Sequence, residues 1–285
     1  MAGPPCNSAR MLGQALTPYC LCEDNLREIT ERDAAFGVLA LVEVSFLMPP
    51  DPSLHQRRRP LTEAELQTIP WLARIAPDER ARAVDALRVV EARAGDHVCR
   101  VGRPVTYWFG VLSGLLKMSS DTPQGQTMTF TGLPPGGWFG EGTAMKREPY
   151  RYNVQALRTS LVAGLPVDTF HWLLDHSIGF NRFVMNQLNE RLGQFIAARE
   201  IDRIGNPELR VARSLAILFN PVLYPGVGEV LRTTQQELAY LVGLSRQRVN
   251  EALAALQAQG VIRVEYGGVR VLDLEALRGG ALVRQ

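Results

Sequence analysis

The most regular pattern of apolar and polar positions lies in two adjacent segments, Gln235–Val242 and Arg246–Ala258. Apolar side chains recur there at intervals of three and four, which predicts two short helices. Thr234 and Glu237 have the spacing of a capping box at the start of the first helix. Gly243 lies between the helices, and glycine takes a left-handed backbone conformation without steric cost. The pattern therefore predicts two helices joined by a tight turn.

Three positions inside this unit have the spacing of a helix-turn-helix. Counting Gln235 as 1, Ala239, Gly243 and Val249 fall at positions 5, 9 and 15. The motif needs a small residue, a turn glycine and a core apolar residue there, which argues against an ordinary antiparallel helix pair. The following VIRVEYGGVRVLDL alternates around Gly267 and predicts a hairpin. Together these segments predict a winged helix.

The second helix is predicted to present a polar face to solvent near its N-terminus. Its members are Arg246, Gln247, Arg248, Asn250 and Glu251. Such donors and acceptors recognise base edges in a DNA major groove. Because helix N-termini attract anions, candidate contacts to DNA phosphates lie close by. They are Thr234, Gln236, Ser245 and Arg248.

The middle of the chain has a different pattern. From Val89 to Val167, short alternating runs are separated by glycines every few residues. Short strands punctuated in this way predict a β-roll or jelly-roll barrel. Before it, Leu61–Leu87 has helical spacing that Pro70 and Pro77 interrupt.

A long helix is predicted over Phe180–Arg203, about 36 Å in length. Apolar and long side chains form one seam along it at steps of three and four. The members of the seam are Phe180, Val184, Leu188, Leu192, Phe195 and Arg199. A seam of this length between two domains favours a dimer coiled coil. Gly205–Pro207 is predicted to form a hinge after it.

Residues 1–60 show no sustained period of 2 or 3.6. Three interpretations stay open: a poorly ordered N-terminal extension, a translational start near Met48 or later, or a sensor segment. The basic string at Arg57–Arg59 fits a solvated linker better than a DNA contact.

Composition narrows the class of protein. The 285 residues are 46% hydrophobic and 21% charged, as in a globular protein long enough for two domains. A net charge of +2 means that DNA binding would depend on a local patch. The longest apolar run, Ala34–Met48, contains Glu43 and is shorter than the roughly 20 residues that span a bilayer. We therefore expect a cytoplasmic protein without a membrane segment and with reduced thiols.

In this order, the predicted elements closely resemble the CRP/FNR family of bacterial transcription regulators over about residues 61–276. The roll carries AGDHVCRVG, LSGLLKM and PPGGWFGEG, and the DNA-binding region carries QQELAYLVGLSRQRVNEALAALQ. The resemblance implies an α+β fold with a β-roll (jelly-roll) effector domain at 61–178. It implies a dimerisation helix at 179–204 and a winged helix-turn-helix domain at 205–285. The implied partners are double-stranded DNA, a second copy and RNA polymerase, with recognition helices about 34 Å apart.

Cyclic-AMP-binding members of the family hold the ribose with a glutamate and the phosphate with an arginine ten residues later, followed by serine. Here Glu141 and Arg151 match this pair, but Tyr152 replaces the serine. A threonine–serine pair that contacts adenine aligns with Phe195 and Ile196, neither of which can hydrogen-bond a base edge. The sequence therefore disfavours the cyclic-AMP mode.

No cofactor is assigned from the sequence. A different, nucleotide-like effector in the same pocket or a ligand-free regulator fits better. The candidate effector-binding residues are Gly140, Glu141, Arg151, Tyr152 and Phe195. The alternative for Glu141 and Arg151 is an internal salt bridge that closes the roll.

The iron–sulfur members of the family have N-terminal cysteines and one in the roll. This chain has four cysteines, Cys6, Cys20, Cys22 and Cys99. Cys20 and Cys22 are closer than the cluster spacing requires, and Cys99 lies early in the roll, which disfavours a cluster. Haem bound by His97, His171 or His176 stays an alternative.

The resemblance also suggests what the recognition helix binds. Arg246 aligns with the family arginine that pairs with guanine, a contact worth about 1–3 kcal/mol of discrimination. Gln247 replaces a frequent glutamate and favours adenine, whereas Glu251 replaces a frequent arginine. We expect an operator that departs from a TGTGA-like half-site at one or two positions.

Two other classes of function compete with a DNA-binding regulator. A small-molecule-binding module that acts through protein contacts is disfavoured by the complete helix-turn-helix spacing. An enzyme is disfavoured because the sequence has no nucleophile–base pair, metal cluster or phosphate-binding glycine loop.

Overall fold

The fold was determined as a computed structural model, which describes residues 58–122 and 124–278. The described residues belong to one unit of the chain, residues 50–285. The predicted N-terminal extension up to residue 57, with Cys6, Cys20 and Cys22, lies outside them. Among the described helices, none is long and apolar enough to cross a membrane.

The N-terminal part begins with two short helices, α1 (Glu63–Gln67) and α2 (Pro77–Ala86), separated by a 3₁₀ turn at Leu72–Arg74. Thr62 and Glu65 form a capping box at the start of α1. Proline divides this segment into two helices. Pro77 begins α2, where a backbone N–H would have no partner within the helix, so proline is tolerated there.

Eight strands and a short helix follow and form the roll. They are β1 (Arg88–Ala92), β2 (His97–Cys99), β3 (Tyr107–Ser113), β4 (Leu116–Asp121), β5 (Thr127–Leu133), β6 (Trp138–Phe139), α3 (Glu141–Lys146), β7 (Asn153–Ala156) and β8 (Ser160–Pro166). The strands pair antiparallel in two four-stranded sheets, ordered β1-β8-β3-β6 and β2-β7-β4-β5. The jelly-roll prediction is confirmed.

An aromatic cluster packs the outer face of the first sheet against helices. It contains Trp71, Trp108, Trp138, Phe170 and Phe180, all less than 2% exposed. Ring centroids of Trp108 and Trp138 are 4.3 Å apart, and Trp71 meets Phe180 edge-on at 5.3 Å. Such edge and tilted contacts add to the free energy of apolar burial. The cluster ties the roll to α4 (Val167–His176) and to the start of the long helix α5 (Ile178–Ile201).

The C-terminal part is a winged helix. Its elements are α6 (Pro207–Leu218), β9 (Val230–Arg232), α7 (Gln235–Val242), α8 (Arg246–Ala258), β10 (Ile262–Glu265), β11 (Gly268–Val271) and α9 (Leu274–Leu277). The predicted hairpin is β10–β11, and β9 adds a third strand to the sheet, in the order β10-β11-β9. The α+β fold with a roll, a long helix and a winged helix-turn-helix is thereby confirmed.

Candidate nucleic-acid interface and effector cavity

The predicted capping and turn residues form the local geometry of the helix-turn-helix. The Thr234 hydroxyl accepts a hydrogen bond from the Glu237 N–H at 3.2 Å, and the Glu237 carboxylate accepts from the Thr234 N–H at 2.6 Å. Gly243 has φ 69°, a left-handed conformation that favours glycine, and ends α7. Ser245 begins α8, since its hydroxyl accepts from the Arg248 N–H at 3.4 Å.

The polar face of α8 points to solvent. Arg246, Gln247, Arg248 and Glu251 are exposed, and Asn250 is half-buried. The Gln247 amide donates to the Glu251 carboxylate at 3.0 Å, one turn further along the helix. Four of the five predicted base-contacting side chains are therefore exposed on the first turns of α8, and Asn250 is less accessible.

The candidate phosphate contacts lie next to this surface. Thr234, Gln236 and Arg246 line a cleft of about 430 Å³ between α7, α8 and the wing. Ser245 and Arg248 are exposed at the N-terminus of α8. The fold thus places the N-termini of two helices and an arginine on one side of the winged helix. This arrangement can bind a phosphate backbone.

A second site is a cavity of about 1230 Å³ between the roll, α5, α6 and α7. Four of the five predicted effector residues line it: Gly140, Glu141, Tyr152 and Phe195. Its far wall includes Leu241 and Leu244 from the helix-turn-helix. A ligand in this cavity would therefore touch both domains.

Arg151, the fifth predicted effector residue, does not line the cavity. Its side chain is 78% exposed and pairs with Glu148 at 3.0 Å, away from the cavity and from Glu141. The alternative of an internal salt bridge with Glu141 is wrong, because Glu141 pairs with Arg191 instead. The phosphate role of Arg151 stays a prediction. Arg151 comes shortly after a turn at Arg147, which has φ 53°. The side chain of the next residue, Tyr152, points into the protein. Because the tyrosine fills the interior, the arginine faces solvent.

Tyr152 is held inside the roll. Burial raises the pKa of its hydroxyl, which the Thr143 side chain also contacts by a hydrogen bond. The hydroxyl lies so near Gly140 that a Cβ added to that glycine would be 3.4 Å from it. This tyrosine therefore occupies space at the backbone of the predicted ligand-binding loop.

The buried partner of Glu141 is Arg191, a residue that sequence reasoning missed. Glu141 is 3% exposed, and its Oε1 lies 3.6 Å from Nη2 of Arg191 without a hydrogen-bond partner among the described residues. Burial lowers the pKa of Arg191, but Tyr224 and Glu141 outweigh this and raise it above its usual value. Arg191 is therefore a permanent cation at the cavity wall.

Arg191 also joins the cavity to the winged helix. It donates to the Trp138 carbonyl at 2.6 Å and to the Tyr224 hydroxyl at 3.1 Å. Gln194 donates to the same hydroxyl at 2.8 Å. An arginine within an amphipathic helix normally indicates the solvent face, so the sequence carries no local signal for this buried role.

The predicted dimer seam lies partly inside the chain. Val184 is 1% exposed and packs in the aromatic cluster, so it is not available to a partner. Leu188 and Phe195 are half-buried against the chain's own core, whereas Leu192 and Arg199 are exposed. The reason is that α5 uses this face to cover the roll.

A neighbouring face of α5 is exposed and apolar instead. Its residues are Ile178, Met185, Leu192 and Ile196, which are 72%, 67%, 61% and 55% exposed. They are spaced by seven, seven and four, so they form one row along the helix. Only Leu192 belongs to both the predicted seam and this row.

The histidines and the described cysteine make protein contacts. His171 lies 3.0 Å from the Ala144 carbonyl, and His176 stacks on Trp172. Burial raises the pKa of the Cys99 thiol. Within residues 58–122 and 124–278, no group of three or more His, Cys, Asp or Glu side chains could hold a metal ion.

Comparison with known families and proteins agrees with this architecture. Residues 89–177 match the cyclic nucleotide-binding domain, and residues 209–279 match the Crp-like helix-turn-helix domain. The transcriptional regulator SdrP of Thermus thermophilus is 29% identical over 195 residues, which is 66% of this chain and 92% of that protein. The CRP-like cAMP-activated global transcriptional regulator of Mycobacterium tuberculosis is 26% identical over 214 residues, or 71% of this chain and 92% of that protein.

Among solved structures, FixK2 from Bradyrhizobium japonicum has the same fold, with a TM-score of 0.54 at 15% identity. That likeness covers 66% of this chain and 94% of FixK2. The two matched domains are the roll and the winged helix described above. The chain belongs to the CRP/FNR family of transcriptional regulators.

Proposed function

We propose that the protein regulates transcription as a homodimer that binds a pseudopalindromic operator. The observation that carries the proposal is the uncovered polar face of α8 beside the cleft lined by Thr234, Gln236 and Arg246. In a dimer, one such face would contact each half-site, about one helical turn apart.

Side chains at the start of α8 would set the half-site sequence. Arg246 is exposed and would donate two hydrogen bonds to guanine. Gln247 bonds Glu251 and would present its amide to adenine. Since Glu251 is an acceptor, it cannot make a second guanine contact, so the half-site departs from TGTGA at one or two positions.

The dimer would form along the exposed row of α5. Ile178, Met185, Leu192 and Ile196 leave an apolar stripe in contact with water on a helix of 24 residues. Pairing with the same row of a second copy removes this stripe from water, which is favourable in proportion to the apolar area. The half-buried Leu188 and Phe195 would lie at its border.

The effector would bind in the cavity without the cyclic-AMP contacts. Arg151 faces solvent, Tyr152 fills the space beside Gly140, and Phe195 offers no hydrogen bond to a base. A ligand would instead donate to Oε1 of Glu141, which accepts no hydrogen bond from the described residues, and bind near Arg191. Because both domains line the cavity, such a ligand would bias the position of the winged helix.

Three further parts of the proposal rest on the relatives rather than on the geometry. The relatives are named as transcriptional regulators, which supports regulation without enzymatic activity. It also supports a cytoplasmic location and contact with RNA polymerase at a promoter.

The experiment is selection of bound duplexes from random DNA by the purified full chain. The expected result is a palindromic motif that keeps guanine opposite Arg246 and differs from TGTGA–TCACA at one or two positions. An unmodified TGTGA–TCACA palindrome would contradict the assignment of Gln247 and Glu251. Absence of any enriched motif, with and without a cyclic-nucleotide panel, would contradict DNA recognition itself.

A further inference from the structure

The orientation of the winged helix depends on side-chain contacts and not on its link to α5. The link consists of the irregular residues 202–206, and Gly205 has open space around it. Such a segment permits many relative orientations of two domains. The contacts between the domains therefore decide which orientation is adopted.

The most specific of these contacts joins Arg158 to Glu237. Arg158 lies in the loop between β7 and β8, and Glu237 lies in the first turn of α7, 79 residues later. The Arg158 Nε donates to Oε1 of Glu237 at 2.8 Å, and its Nη2 donates to Oε2. The side chains are 29% and 10% exposed. A two-bond pair of this kind fixes an angle as well as a distance.

Packing of α7 on the roll fixes the same helix. A Cβ added to Gly132 of β5 would lie 3.0 Å from Leu218 and 3.0 Å from Leu241, so β5 is closely approached there. The Lys117 ammonium lies 5.7 Å from the ring centre of Tyr240. These contacts use the rear of α7 and leave the polar face of α8 uncovered.

A separate set of contacts holds the other side of the winged helix. Gln187 of α5 donates to the Val222 carbonyl at 2.8 Å, and Arg191 and Gln194 both bond the Tyr224 hydroxyl. Contacts at two places prevent rotation about either one. The recognition face is thus held at one angle to α5.

We propose that the Arg158–Glu237 pair is a positioning contact that sets the distance between the two recognition helices in the dimer. The inference rests on the proposed function, because it specifies how the same DNA-binding face is oriented. With the pair intact, both faces are preorganised for one half-site separation. Without it, each winged helix must be ordered on binding, which lowers the affinity for DNA.

The pair can be removed without changing the local helix. Glu237→Gln keeps a capping-box side chain, since glutamine serves at that position, but loses the charge. Arg158→Gln removes the other charge, from a roll residue that is not among the proposed DNA contacts. Arg158→Lys keeps the charge and loses the planar fork. Asp168→Asn is the control, because it breaks the 2.8 Å pair with Arg147 within the N-terminal part.

The experiment measures the affinity of the full chain for duplexes that carry two selected half-sites with separations altered by one to three base pairs. A duplex with a single half-site is measured in parallel. For Arg158→Gln and Glu237→Gln we expect about five- to tenfold weaker binding at the best separation and less than twofold on the single half-site. The affinities of these variants for different half-site separations should become more similar. The double variant should bind as weakly as either single variant, and Arg158→Lys should have an affinity between those of the wild type and Arg158→Gln.

Three results would overturn the inference. In the first, both glutamine variants show the same dependence of affinity on half-site separation as the wild type and Asp168→Asn. In the second, the losses of affinity in the two variants add up in the double variant. In the third, the variants lose as much affinity for the single half-site as for the paired half-sites. A wild-type chain that binds no duplex would overturn the proposed function and this inference with it. A wild-type chain that binds while the variants keep its profile overturns the inference alone.

Discussion

The polar face of α8 and the cavity wall each contain an arginine, and the two arginines have opposite environments. Arg246 is exposed at the start of α8, where its guanidinium is available to DNA. Arg191 is 7% exposed, and its hydrogen-bond partners belong to the roll, to α5 and to the winged helix. In the proposed function the exposed arginine contacts DNA, whereas the buried one joins the roll to the winged helix.

Loss of the buried arginine is expected to have the largest effect on stability. Arg191→Met leaves the Glu141 carboxylate buried without its cation, which costs about 3–5 kcal/mol of unfolding free energy. Urea denaturation measures this cost. The double variant Glu141→Gln with Arg191→Met should recover part of it, and Arg93→Met, at an exposed site of the roll, should change little. Equal stability of wild type and Arg191→Met would show that the buried network contributes nothing.

The effector cavity gives the next largest expected effect. A ligand present at a hundred times its Kd stabilises the folded chain by about 2.7 kcal/mol, so a panel of cyclic mono- and dinucleotides can be screened by thermal melting. For any ligand that raises Tm, we expect Glu141→Gln to abolish the shift and Arg151→Ala to leave it unchanged. If Arg151→Ala abolished the Tm shift and Glu141→Gln kept it, the ligand would bind at Arg151, and the cavity assignment would be contradicted.

The exposed row of α5 is expected to contribute about 1.5–3 kcal/mol of dimerisation free energy for each large side chain that becomes buried. Leu192→Glu places a charge in the row and should shift the dimer to monomers in sedimentation velocity. Asn186→Glu is the matched control, since it adds the same charge at an exposed position of α5 outside the row. If the control dissociates the dimer equally, net charge rather than the row controls association.

The smallest expected effect is the pH dependence from the capping residue of α1. The Arg59 side chain, by hydrogen bonding, lowers the pKa of Glu65 from 4.5 to about 2. Because the folded-state pKa is depressed, the pair stabilises the fold fully above about pH 4.5, and this contribution is lost as the pH falls toward 2. Arg59 is half-exposed, so solvent screening limits the contribution to about 1 kcal/mol or less. Unfolding of wild type and Glu65→Gln should therefore differ at pH 5 and converge near pH 2.

The same contrast explains what the sequence could predict. The winged helix follows from local signals, because Thr234, Gly243 and Val249 act within a stretch of sixteen residues. The predicted α5 seam includes residues that pack inside the chain, such as Val184. Helical spacing alone does not tell whether Val184 or Met185 packs against the roll, and that choice depends on the aromatic cluster.

The cavity was predicted only in part, since it is built from segments that lie far apart in the chain. Glu141 and Tyr152 were found because they lie close together in the sequence, in and just after the FGE motif. Arg151 has the spacing of a ligand arginine, but the tyrosine beside it takes the interior position. Arg191 was missed because only tertiary packing places its guanidinium next to Glu141.

In the proposed function, α8 recognises DNA through Arg246, and the dimer forms along α5. The most direct measurement is a nuclease footprint on the selected operator with wild type, Arg246→Ala and Arg93→Ala, together with sedimentation of each protein. We predict that Arg246→Ala loses the footprint and stays dimeric, while Arg93→Ala keeps both. An unchanged footprint for Arg246→Ala would contradict the account.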